Sequence, residues 1–226
     1  LLYGCYATNL AEVTPCRRVG LNLGVFKSAL FPNSSRLNLR VSSDGVFRFA
    51  RWNRPIVPII FGVDDETLVH LKTSIVTTIG ITGNKIEETD PELGANLMWF
   101  FCKEWEEILS VPDLKKLIPN LSDIVKKLQT TSTKSYRIFA FDNEGGIKMC
   151  VQLIKVSDET AEMSIQALAT GETFQCLVLF SNKAFIDESP IAQISQNNLC
   201  VPKPEYAALV RAAYDPVLPV YSSYHV

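Results

Sequence analysis

The sequence predicts an α+β fold: a mixed, mostly antiparallel sheet covered by helices, in one globular domain over residues 46–226 behind an N-terminal arm of residues 1–45. Three observations predict it. Apolar residues make up 47% of 226 positions, and a chain of this length removes roughly 70% of its unfolded surface from water, so one full core is within reach. A strongly periodic helix follows Asp64, while two long strand-like runs, Tyr136–Phe141 and Ile147–Val156, flank the turn Asp142-Asn143-Glu144-Gly145-Gly146. No internal repeat and no low-complexity linker divides the chain.

The elements follow in order. Residues 1–16 read as an irregular arm, and residues 17–30 space their apolar side chains without a clear period. Pro32-Asn33-Ser34-Ser35 is a loop. Val46–Phe49 and Ile56–Phe61 are strand-like, and Pro58, which has no N–H to give to a ladder, places the second at a sheet edge or bulge. Asp64 is placed to cap a helix reaching about Ile79, because Leu68, Leu71, Ile75, Val76 and Ile79 recur at the 3.6-residue period and Asp65 and Glu66 suit its positive end. Ala95–Cys102 is a continuous apolar run, the pattern of a strand buried on both faces. Residues 103–129 break at Pro112 and Pro119 into short amphipathic helices, with Ser122 a candidate cap. Met163, Ile165 and Ala167 alternate as on a strand. Thr173–Phe185 is expected to be helical, with Leu177–Phe180 equally readable as a strand, and a last helix opens at Pro204 and runs to Tyr214.

Charge excludes several functions. With 22 Lys and Arg against 24 Asp and Glu, the net charge is −2. Such a chain lacks the basic footprint of a nucleic-acid binder and the polybasic anchor of a lipid-surface binder. Arg17, Arg18, Arg48, Arg51 and Arg54 are too sparse for a phosphate-lined groove. No apolar run approaches the roughly 20 residues needed to span a bilayer.

Catalytic side chains are scarce. The two histidines are His70, inside the first helix and expected to be partly buried there, and the penultimate His225. Neither stands at zinc-ligand spacing from cysteines or carboxylates, so no metal or other cofactor is expected. Nucleophile signatures are absent, and Cys102 with His70 is the one conceivable thiol–imidazole pair; Cys102 ends an apolar strand and is expected to pack instead. Gly80–Lys85 has the look of a phosphate loop, but it follows a helix where a cradle should follow a strand. The acidic loop Glu87, Glu88, Asp90 and Glu92 does not fit the EF-hand spacing. Glu104, Glu106 and Glu107 around Trp105 read as a solvated face. Aromatic residues are the surplus: Trp99, Phe100, Phe101 and Trp105 suit a core, whereas Tyr214, Tyr221 and Tyr224 in the tail suit an interface.

Cys5, Cys16, Cys102, Cys150, Cys176 and Cys200 contain no C-x-x-C pair. They are either reduced buried thiols or two to three disulfides of an oxidising compartment. Cys5 and Cys16 bracket a short, weakly apolar segment that a bridge would staple. Leu2-Tyr3-Gly4-Cys5 resembles the lipid-attachment box of bacterial lipoproteins, in which Cys5 would carry the lipid and attach the protein peripherally to a membrane.

Four segments together resemble a family of exported bacterial proteins best known in alphaproteobacteria, a domain of unknown function with a zincin-like layout. They are Arg51-Trp52-Asn53-Arg54-Pro55-Ile56-Val57, the helix end Ile79-Gly80-Ile81, Ala95-Asn96-Leu97, and Leu209-Val210-Arg211-Ala212-Ala213-Tyr214-Asp215-Pro216-Val217-Leu218-Pro219. The closing segment is the specific one. In the family a cysteine precedes a helix with two adjacent glutamates and a glutamine; if Cys176 matches that cysteine, these positions hold Leu179, Phe180 and Lys183, which neither bind metal nor move a proton in that role. The resemblance implies a zincin-like outline degenerate at its active-site helix, an extracytoplasmic setting, and a Cys150–Cys176 disulfide. The expected function is therefore a non-catalytic binding or structural component, a subunit of an extracytoplasmic protein assembly with protein partners, a class that also holds viral or phage shell and tail components. The alternative is a hydrolase, zincin-like or built on Cys102 and His70.

Overall fold

The computed structural model describes residues 46–89, 94–157, 164–180, 184–185, 188–194 and 199–225. The arm of residues 1–45, with Cys5 and Cys16, lies outside them, as do Asp90, Glu92, Met163 and Lys183. Among the described residues the central sheet has the order β2 (Pro58–Phe61), β3 (Leu97–Cys102), β5 (Ile147–Lys155), β4 (Ser135–Phe141). β3 runs parallel to both β2 and β5, and β4 pairs antiparallel with β5 through the Asp142–Gly146 turn. β2 is an edge strand, where the missing N–H of Pro58 costs no ladder bond.

Two smaller ladders complete the fold. β1 (Val46–Ala50) pairs antiparallel with β8 (Tyr221–His225), and β6 (Ile191–Ile194) pairs antiparallel with β7 (Leu199–Pro202). Three of the five ladders among the described residues are thus antiparallel, and the fold is a single mixed α+β domain. No helix among these residues is long and apolar enough to cross a membrane.

The pleat of β3 divides the core. Leu97 and Trp99 point to one face, where they pack with Leu71, Ile75 and Ile79 of α1 (Asp65–Gly80), Phe174 and Cys176 of α4 (Ile165–Cys176), and Leu209 and Val210 of α5 (Pro204–Ala213). Phe100 and Cys102 point to the other, against the 3-10 helix Trp105–Ser110, α2 (Leu114–Leu117) and α3 (Leu121–Gln129). Helices on both faces explain why β3 reads as an unbroken apolar run. Asp64 caps α1 as its sequence predicts, accepting from the Thr67 backbone N–H at 2.9 Å.

Several expectations are corrected. Of the expected strand Met163–Ala169, the described part is helical: Ile165 to Ala169 open α4, capped by Ser164, whose hydroxyl accepts from the Ala167 N–H at 3.1 Å. Helix α4 is buried from Ala169 to Cys176 on every side, so it has no polar face to set a 3.6-residue period. It also stops at Cys176; residues 177–180 are not helical, and Val178 bridges to Arg51. Ser122 lies inside α3, whose N-cap is Asn120. His70 is exposed on α1, not partly buried.

Candidate functional site

A groove of about 800 Å³ opens where β2, β3 and β5 end. Its floor and walls are Val63, Leu71, Phe101, Ile154 and Leu168, and its polar edge is Asp64, Thr67, Lys103 and Glu107. Carboxyl ends of neighbouring parallel strands are where open α/β sheets bind ligands, because the loops diverge there and leave a crevice between helix N-termini. The N-terminal turns of α1 and α4 flank this crevice. Two apolar side chains stand at its mouth, Val156 with 42% and Ile165 with 37% of their surface exposed.

Gly62 shapes one lip. Its φ of +85° is left-handed, and a Cβ there would stand 2.3 Å from the Phe101 carbonyl oxygen, so only glycine lets β2 turn away from β3 at this point.

The groove's chemistry is muted. Cys102 lines it, but burial, reinforced by Glu107, pushes its thiol up to about 12 despite the pull of Lys155. A thiol at that value stays protonated at neutral pH, and the thiolate is the nucleophile. Its Sγ is within 3.6 Å of the Ile154 carbonyl, to which it donates. His70 is exposed on α1 and not among the lining residues, whereas Cys102 is buried and packs as expected. Among the described residues no three His, Cys, Asp or Glu side chains stand close enough to share a metal ion.

Beneath α4 lies a second polar assembly that the sequence did not announce. Arg137 of β4, only 1% exposed, donates to Glu172 at 2.6 Å and to Gln175 Oε1 at 2.7 Å. Gln152 of β5 donates to the same Glu172 oxygen at 2.9 Å and to Ser135 at 2.6 Å. Burial pushes the Glu172 carboxyl up from its ordinary range, against the pull of Arg137 and Ser135. Next to this network the sulfurs of Cys150 and Cys176 stand 3.5 Å apart, Cys150 donating. Both are free thiols here, so the disulfide implied by the family resemblance is not formed, although the two sulfurs touch.

Two of the segments quoted for that resemblance, residues 51–57 and 209–219, meet at the end of α4. The Trp52 indole donates to the Cys176 carbonyl at 2.8 Å, and the Tyr214 hydroxyl to the Leu177 carbonyl at 2.6 Å. Helix C-termini leave carbonyls without intrahelical donors, and these two side chains supply them. The Arg51 guanidinium lies over the Tyr214 ring, 5.5 Å from its centroid, and burial pushes the Tyr214 phenol well up. Asn96 clasps the neighbouring chain, accepting from the Val57 N–H at 2.8 Å and donating to the Pro55 carbonyl at 2.9 Å. Tyr214 is thus engaged internally. Tyr221 is half-buried on the glycine turn, within 2.4 Å of a Cβ placed on Gly145, and Tyr224 sits in β8 opposite Phe47.

Comparison with protein-family models, with curated proteins and with solved structures finds no match for this chain, so its site is read from its own geometry.

Proposed function

We propose that the protein is a non-catalytic binding component of a protein assembly, and that the groove at the ends of β2, β3 and β5 receives a segment of its partner. One observation carries this reading: the groove presents exposed Val156 and Ile165 above an apolar floor, while the thiol within it is held protonated. Apolar side chains at the mouth of a crevice favour an occupant that buries them, at about 25 cal/mol per Å² removed from water. A photo-crosslinking residue at Val156, in cells that make the protein, is expected to give a discrete protein adduct. The same residue at Val69, exposed on α1 outside the groove, is expected to give none. Identical products from both positions, or substrate turnover by purified protein that Cys102→Ser abolishes, would return the hydrolase reading to first place.

The proposed setting is extracytoplasmic, in keeping with the Cys150–Cys176 contact. Buried cysteines whose sulfurs touch are placed to bridge in an oxidising compartment where their Cα and Cβ separations allow it. Protein from its native source, denatured and alkylated without reductant, is expected to leave these two cysteines unmodified. Full alkylation of both would remove the support for export.

A further inference from the structure

We infer that residues 19–25 of the arm add a strand to the free edge of β4, a docking surface distinct from the groove. The two edges of the central sheet differ. On the β2 side Ile56, just ahead of the strand, donates to the Lys85 carbonyl and accepts from the Glu87 N–H, and Pro58 has no N–H to offer. On the β4 side the Lys155 N–H donates to the Lys134 carbonyl, and from that pair onward alternate residues 136, 138 and 140 face β5. The backbone N–H and C=O groups of Phe139 and Phe141 therefore point away from the sheet. Neither residue's outward backbone groups have a partner among the described residues. Residues 138–141 are half-buried, and the Phe139 and Phe141 rings stack on the α4 side with centroids 6.4 Å apart.

An open edge accepts another strand unless a charge, a proline, a bulge or a cover guards it. Residues 138–141 hold no charge and no proline, and their guard is a bulge between Ala140 and Phe141. Pattern and reach mark the occupant. Within residues 17–30, mixed in spacing as a whole, Val19, Leu21, Leu23 and Val25 alternate strictly with Gly20, Asn22 and Gly24. That period of two puts the apolar side chains on one face of an added strand, where they cover Phe139 and Phe141. Residues 26–45 join this run to Val46, the start of β1. Extended, that stretch reaches about 66 Å, more than the roughly 40 Å diameter of a domain of this size. Tethering also raises the local concentration of the run to about millimolar, above that of a second copy in dilute solution.

Hydrogen exchange followed by NMR on the full chain tests the pairing. The Phe139 and Phe141 amides are expected to be protected. Asn22→Pro with Leu23→Pro removes one donor from each side of the run and is expected to speed their exchange at least about tenfold. The Ile138 and Ala140 amides, bonded to β5, are expected to keep their rates, which reports that the sheet is intact. Ser35→Pro, in the arm but outside the run, is expected to change none of the four. Equal exchange at Phe139 and Phe141 in the unaltered chain and the double variant overturns the inference. Protection that rises with protein concentration and survives the prolines assigns the edge to a second copy and overturns it too. Should the prolines also speed Ile138 and Ala140, Leu21→Ser with Leu23→Ser, which keeps every backbone N–H, is read by the same criteria.

Discussion

The two faces of the central sheet are built on different principles, although neighbouring residues of one strand serve both. Val151 and Leu153 of β5 point into an apolar cluster, with Trp105, Ile108, Leu121 and Val125 around them. Cys150 and Gln152, alternating with them, point under α4 into a network of an arginine, a glutamate, two glutamines and a serine. Apolar contacts tolerate many arrangements of similar volume, because dispersion and water exclusion have no preferred direction. A buried charge pair tolerates one, since each lost partner leaves a desolvated group behind. Both faces bury apolar cores, and the α4 face adds register: its polar network sets where α4, buried from Ala169 to Cys176, lies on the sheet.

The largest effect expected from this contrast is at Glu172. Replacing it by leucine strands the Arg137 guanidinium, 1% exposed, without its carboxylate. Breaking a buried pair in this way costs about 3–5 kcal/mol, which urea denaturation reads as a fall in midpoint at constant slope. Adding Arg137→Met to Glu172→Leu removes the stranded charge and is expected to recover most of the loss. If the double variant is as unstable as the single one, the ion pair is not what the α4 face depends on, and the contrast between the faces fails.

Legibility in the sequence follows the same division. Elements that answer to local rules were readable: Pro58 marks the edge strand, Asp64 the start of α1, the run Ala95–Cys102 the central strand, and Pro112 and Pro119 the breaks between helices. Helix α4 was not, because a helix with no solvent face shows no periodicity, and Ser164, its cap, is an ordinary serine until the Ala167 N–H is seen beside it. The β6–β7 hairpin and the pairing of β8 with β1 escaped for another reason. Each strand is only four or five residues long, and the partners of β8 lie at the far end of the described chain. The groove is a product of topology. Its walls come from residues 62–71, 101–107, 154–156 and 165–168, which no sequence window contains together. Trp52, Asn96 and Tyr214 act as hydrogen-bonding clasps on backbone carbonyls and amides, a role no local sequence pattern announces.

The smaller test sets adjacent residues of β5 against each other with one replacement. Methionine is close in volume to both glutamine and leucine, so Gln152→Met and Leu153→Met change chemistry on one face and little but shape on the other. Gln152→Met removes the donor that joins Ser135 to Glu172, at 2.6 and 2.9 Å, and leaves both within a buried shell. The loss expected is about 1–3 kcal/mol, toward the upper end because one acceptor is a carboxylate. Leu153→Met keeps an apolar chain among apolar neighbours and is expected to cost less than about 1.5 kcal/mol. Thermal unfolding of the two variants at one pH gives the comparison directly. Equal losses would mean that packing volume governs both faces and that the polar network merely fits the space left to it. A clear excess at position 152 ties the register of α4 to directed hydrogen bonds, and through α4 the position of Ile165 and Leu168 at the groove.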